Sequence, residues 1–239
     1  MAIDYTKRPA AAAPAAVPPV APTAAPTAVP PVAAPPAGKV ILTKAAPTVS
    51  LTKHAGATGT MRVNLNWTAR ADNGGGFFKR PTQAIDLDLG CLYEFTDGSK
   101  GVVQALGNAF SASPRGVNEP VIRLDGDDRS GMNSDGENLF INLAYADQIR
   151  RIMVFAFIYE GAPNWAAANG VVTLYPAGGP QVEVRLDESR EGARICGIAM
   201  LESSGGDLVV RREVNYINGG QRALDTAYGW GMRWAAGRK

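Results

Sequence analysis

From about Lys39 onward, apolar and polar positions alternate in short runs, and turn-forming clusters interrupt the alternation at intervals of roughly 10–15 residues. Met61–Trp67 (MRVNLNW) alternates with a period of two, the mark of a half-buried strand. Further strands are predicted over Ala84–Phe95, Gly101–Leu106, Leu139–Leu143, Ile149–Tyr159, Val171–Tyr175, Gln181–Leu186, Arg194–Leu201, Leu208–Ile217 and a terminal Tyr228–Trp234. The segments TDGSKG, SPRGVNEP, PAGGPQ, SSGGD and INGGQ separate nearly all of them, rich in the residues that turns demand. One or two short helices fit at Ala144–Arg150 and within Arg190–Ala193. Many short strands without long helical periods define an all-β fold, an antiparallel sandwich or barrel of about 200 residues. The longest strongly apolar run, Ile152–Tyr159, has eight residues, whereas a bilayer-spanning helix needs about 20. It reads as a buried strand.

Composition changes this picture at the N-terminus. Pro9–Ala37 holds 10 Pro, 13 Ala, 4 Val and 2 Thr among 29 residues, with no charge. Such a segment cannot bury enough side chain to offset its ordering entropy, and its prolines block helix. Residues 1–38 are therefore expected to be a disordered head and Pro/Ala-rich linker, a polyproline-like spacer reaching up to about 90 Å. Residues 39–239 form the folded domain. The start, MAIDYTKR, followed by closely spaced prolines, lacks the apolar stretch of a secretory leader. A cytoplasmic protein with reduced thiols is the expectation.

Charge and side-chain counts exclude whole classes of chemistry. With 24 basic against 22 acidic residues the net charge is +2, too little for a field that gathers nucleic acid, and no basic–aromatic stripe is evident in the sequence. Two cysteines and one histidine leave no disulfide framework, no CxxC zinc site and no multi-histidine metal site. No phosphate-cradling loop and no nucleophile elbow occurs, so no catalytic set emerges.

The acidic residues are unevenly placed. Asp86 and Asp88, in AIDLDLG, lie two apart on a predicted strand, so both carboxylates share a face opposite Ile85, Leu87 and Leu89. The later segment LDGDDRSGMNSDGEN carries Asp125, Asp127, Asp128, Asp135 and Glu137, with Gly126, Gly131 and Gly136 and the amides Asn133 and Asn138. Crowded carboxylates repel one another unless a cation lies between them. An all-oxygen donor set in a glycine-rich loop favours Ca²⁺. The loop is not an EF-hand: counted from Asp125, the fifth position is Arg129, the sixth Ser130, and Glu137 comes one residue late. From these residues alone, a solvated acidic loop and a calcium site both stand.

Taken together, AIDLDLGCLYEFTDGSKG, LDGDDRSGMNSDGEN, IRRIMVFAFIYEG, VEVRLDE and the closing AYGWGMRW resemble the TerD superfamily of tellurium-resistance and stress-response proteins, in particular its TerA-type members. The resemblance covers most of the chain from Lys39. It implies a TerD-type calcium-binding β-sandwich in which a DLD motif, on Asp86, Leu87 and Asp88, meets a GD[ND] motif, on Gly126, Asp127 and Asp128. Asp135 and Glu137 fall at the acidic end of the loop. Asp128 stands where many members have Asn. The implied role is a non-enzymatic, ion-ordered scaffold whose partners are other tellurium-resistance and stress proteins, some of them membrane-associated.

Two other classes remain open. One is a calcium-dependent carbohydrate- or lipid-binding sandwich in which Trp165, within GAPNWAAANG, contacts ligand; the same Trp165 also fits a core position. The other is an enzyme acting on a metalloid oxyanion, which requires a redox cofactor or a reactive thiol at Cys91 or Cys196. Both cysteines sit in apolar strand-like surroundings and read as buried structural residues. His54 reads as a surface histidine. Arg150/Arg151 and Arg211/Arg212 flank strands and read as caps on a solvated face, and Trp230 and Trp234 as packing residues on one strand face.

Overall fold

The computed structural model describes residues 40–41, 48–50, 59–68, 84–126, 136–177, 181–204 and 207–235. The Pro/Ala-rich segment and His54 lie outside the described residues. In chain order the strands are β1 (Val40–Ile41), β2 (Thr48–Ser50), β3 (Thr60–Asn66), β4 (Asp86–Phe95), β5 (Lys100–Gln104), β6 (Ser111–Ala112), β7 (Ile122–Leu124) and β8 (Glu137–Asn142). They continue with β9 (Ile149–Glu160), β10 (Gly170–Tyr175), β11 (Val182–Leu186), β12 (Ile195–Ser204) and β13 (Asp207–Ile217). Two helices interrupt them, α1 (Trp165–Ala168) and α2 (Gln221–Tyr228). The strands form two sheets, ordered β1-β11-β10-β3-β8-β7-β6 and β2-β13-β12-β9-β4-β5. Their pairings are antiparallel, except that β1 runs parallel to β11.

Strand alternation decides which side chains enter the core. Met61, Val63 and Leu65 of β3, Leu139 and Ile141 of β8, and Val172 and Leu174 of β10 pack in one cluster with Leu87, Leu89 and Cys91 of β4 and Ile152, Val154 and Ala156 of β9. The fold is therefore the expected all-β sandwich, its inner faces sharing one apolar core. A second cluster covers the outer side of the six-stranded sheet: Leu92, Met153, Phe155, Ile195 and Met200 pack there with Leu224 of α2 and Trp230. Central strands of that sheet are thus covered on both faces, which is why β9 reads as a continuous apolar run and β4 is buried along almost its whole length.

Three local expectations are corrected or refined. Ala144–Arg150 holds a 3₁₀ turn, Leu143–Gln148, whose first N–H groups are met by the Asn142 side chain at Ala144 N. Arg190–Ala193 is a turn rather than a helix. Tyr228–Trp234 is not a strand: α2 takes Tyr228, and Gly229 ends the helix in the left-handed conformation (φ 63°). Beyond it, the Asp225 carboxylate accepts hydrogen bonds from Gly231 N (2.6 Å), Met232 N (2.9 Å) and Trp234 Nε1 (2.6 Å). Those two main-chain donors are engaged by a side chain instead of a sheet ladder.

Candidate metal centre

Asp86 and Asp88 occupy the first half of β4, a strand flanked by β9 on one side and β5 on the other. Neither carboxylate faces open water: Asp86 is 2% and Asp88 4% exposed. The residue that β9 places opposite Asp86 is another acid, Glu160, and the register shifts between Asp86 and Leu87. Ladder pairing between β4 and β5 runs from Gly90 to Glu94. At Leu89, just before it, the main-chain N–H donates instead to Glu137 Oε2 at 2.6 Å. Glu137 begins β8 in the opposite sheet and is 1% exposed. One hydrogen bond thus ties the two sheets together and brings a third buried carboxylate to the residue beside Asp88.

The ends of the acidic segment are clamped to each other. Asp125 N donates to Asn138 O (2.9 Å), and the Asp125 carboxylate accepts from Asn138 N (2.9 Å) and Asn138 Nδ2 (2.8 Å). Asn138 Oδ1 accepts in turn from Asn64 Nδ2 at 3.0 Å. Gly136 feeds Glu137 into β8 with φ 61°, and a Cβ there would run into the Leu65 carbonyl oxygen, so the turn admits glycine alone. Across the site, Gly161 (φ 80°) follows Glu160 and lies against the Ala84 carbonyl with no room for a Cβ. Gly126 is half-buried beside this clamp, and open space surrounds the position its Cβ would take.

Of the site residues read from sequence, the structure brings Asp86, Asp88 and Glu137 to one end of β4 and Gly126 to the clamp at the start of β8. Asp127, Asp128 and Asp135 lie outside the described residues. Among the described residues no group of three His, Cys, Asp or Glu side chains is placed to hold a metal ion. Sequence reasoning missed Glu160, because its register with Asp86 depends on an irregularity in the β4–β9 ladder that no period reveals. It noted Asp125 only as one acid among several, whereas the carboxylate clamps the loop.

Both thiols are withdrawn into the core. Cys91 and Cys196 are both buried and form no disulfide. Burial pushes the Cys91 thiol up to about 12 and raises that of Cys196 as well. Trp165 is fully buried, with Nε1 donating to Ala193 O at 2.6 Å and its ring against Tyr216. The ligand-contacting role for Trp165 is overturned; it is a core residue.

An all-β sandwich in which the two ends of an acidic segment are clamped together beside a carboxylate-bearing central strand is the class these features define. No family model matches the chain. It is 44% identical over 203 residues to the tellurium resistance protein TerA of an Alcaligenes species, a match covering 84% of this chain and 58% of that relative. The chain belongs to the tellurium-resistance family as a TerA-like protein, and it spans somewhat over half the length of the relative it matches. Among solved structures, a Streptomyces coelicolor homologue of the telluride resistance protein TerD aligns with TM-score 0.49 and 19% identity, covering 70% of this chain and 95% of that one.

Proposed function

We propose that the protein is a calcium-binding, non-enzymatic module of a tellurite- and stress-resistance system, working in the cytoplasm as an ion-ordered scaffold for other proteins of that system, some of them membrane-associated. The supporting observation is the burial of Asp86, Asp88 and Glu137 around one end of β4, next to a loop whose two ends are fixed. Buried carboxylates are costly unless compensated by cations or hydrogen bonds. The donors available are carboxylates and the Gly126 carbonyl, hard oxygens without nitrogen or sulfur, which suit Ca²⁺. Asp86, Asp88, Asp127 and Asp128 would hold the ion, with Gly126, Asp135 and Glu137 completing the set. When bound, the ion supplies positive charge that relieves carboxylate repulsion. The protein's own contribution is to fix the donors: Gly136 sets the turn, Asp125 and Asn138 close it, and Glu137 locks it to β4. The buried, neutral thiols support a non-enzymatic role, since thiolate rather than thiol is the reactive form.

Thermal unfolding tests this reading. An ion that binds only the folded state at a hundredfold excess over its Kd stabilises by about 2.7 kcal/mol. That corresponds to a rise in Tm of about 5–10 °C for a domain of this size. Melts with Ca²⁺ and with EGTA should differ by that amount; superimposed curves exclude the calcium reading.

A further inference from the structure

The outer face of the seven-stranded sheet carries a row that borders the clamp, with Arg62 Nη1 donating to Asn138 Oδ1 at 3.4 Å. Register places Tyr175 of β10 opposite Arg62 of β3, Arg62 opposite Phe140 of β8, and Phe140 opposite Arg123 of β7. Their neighbours along each strand, Met61, Val63, Leu139, Ile141, Ile122, Leu124 and Leu174, belong to the inter-sheet core. Alternation therefore puts all four members of the row on the outside. The row reads aromatic, cation, aromatic, cation across four adjacent strands. Arg62 stacks 4.1 Å above the Tyr175 ring and Arg123 4.6 Å above the Phe140 ring. Each guanidinium thus leans one strand in the same direction, so their separation stays near two strand spacings, about 9.6 Å. A stacked guanidinium keeps N–H groups on its edge for contact with a carboxylate, all but the one that Nη1 gives to Asn138 in the case of Arg62. Arg123 is exposed; Arg62, Phe140 and Tyr175 are half-buried. Among the described residues, two acids of this face are committed elsewhere: Asp125 clamps Asn138, and Glu183 lies 3.3 Å from Arg185.

We propose that this row is a docking surface for an acidic, extended segment of a partner protein. Charge complementarity and spacing select that occupant. A polyproline-type strand rises about 3.1 Å per residue with three residues per turn, so carboxylates three residues apart lie on one side about 9.3 Å from each other. That matches the two guanidiniums, and the intervening residues would lie over the Phe140 and Tyr175 rings. Two cations separated in this way do not track a nucleic-acid backbone, and the whole chain carries a net charge of only +2. The inference deepens the scaffold reading and rests on it only for the existence of a protein partner.

The test uses the full chain and fluorescence anisotropy of a labelled (Glu-Pro-Pro)4 peptide, with calcium calorimetry run on the same preparations. Binding to the wild type is expected. It should weaken measurably in the exposed single variant Arg123→Gln, with the melting temperature and calcium heat of that variant unchanged, and roughly tenfold in Arg62→Gln/Arg123→Gln. Added salt should weaken it as well. A (Lys-Pro-Pro)4 peptide binding equally well overturns the proposal, as does indifference to both variants, or displacement of the acidic peptide by oligothymidylate. Absent calcium heat with charge-selective peptide binding would remove the metal reading and leave this surface standing.

Discussion

At the level of single residues, burial decides which groups do chemistry. Cys91 stays a neutral thiol because its thiolate would have to form inside the apolar core, with its titration pushed up to about 12. Native protein should therefore be labelled slowly by iodoacetamide even at pH 8.5, and quickly after denaturation, as read by intact mass. Rapid native labelling of either cysteine would return thiol chemistry to consideration. Asp97 lies at the other extreme. Its carboxylate accepts from Arg115 N, from the Ser99 hydroxyl and from Ser99 N, which lower its titration to about 2. A depressed folded-state value means that its small contribution is complete above the ordinary aspartate range and fades as pH falls from about 4 to 2. Asp97→Asn should lower Tm slightly at pH 6 and lose that difference near pH 2, measured by calorimetry across the range. Arg151 shows why a pair of basic residues read only as caps was incomplete: both arginines pair with Glu94, Arg150 from an exposed position at the start of β9, but Arg151 also stacks 3.8 Å from the buried Trp230.

Among the elements, the strands were legible where one sheet face met the core, because alternation there follows directly from burial. β3, β5 and β8–β13 appear close to their expected limits. Strands of two or three residues, such as β6 and β7, are too short to show a period, and α1 is a single turn held by Asn164. The terminal segment misled for a specific reason. YGWGMRW alternates like a strand, yet its alternation serves a different end: Trp230 enters the second core while its indole donates to Tyr93 O. Asp225, one residue of α2, holds the turn. Asp225→Ala removes the acceptor of three N–H groups and should cost on the order of 3 kcal/mol, with a red shift of tryptophan emission as Trp230 becomes wet. Unchanged stability would contradict this locking role. Gly136→Ala strains both φ and the contact with Leu65, and should lower stability by about 1–3 kcal/mol. If Asp88 and Glu137 hold an ion, calcium affinity falls with it.

For the whole molecule, the candidate site was legible in part. The acids Asp86, Asp88 and Glu137 were visible as chemistry, but their burial was not. Polar positions on an alternating strand ordinarily face water, but Asp86 and Asp88 lie in a sheet covered on both sides, and Glu137 shares the inward parity of Leu139 and Ile141 in β8. Nor could spacing reveal that Glu137 reaches across from one sheet to a backbone N–H of the other. The TerA-like identity rests on 44% identity over 203 residues.

The most direct measurement is calorimetric titration of Ca²⁺ into the wild type and into Asp86→Ala/Asp127→Ala. Saturable heat in the wild type, abolished in the double variant while its circular dichroism remains that of a β-sandwich, is the expected result. Heat absent from the wild type, or unchanged when both carboxylates are removed, would contradict a calcium centre built from β4 and the acidic loop.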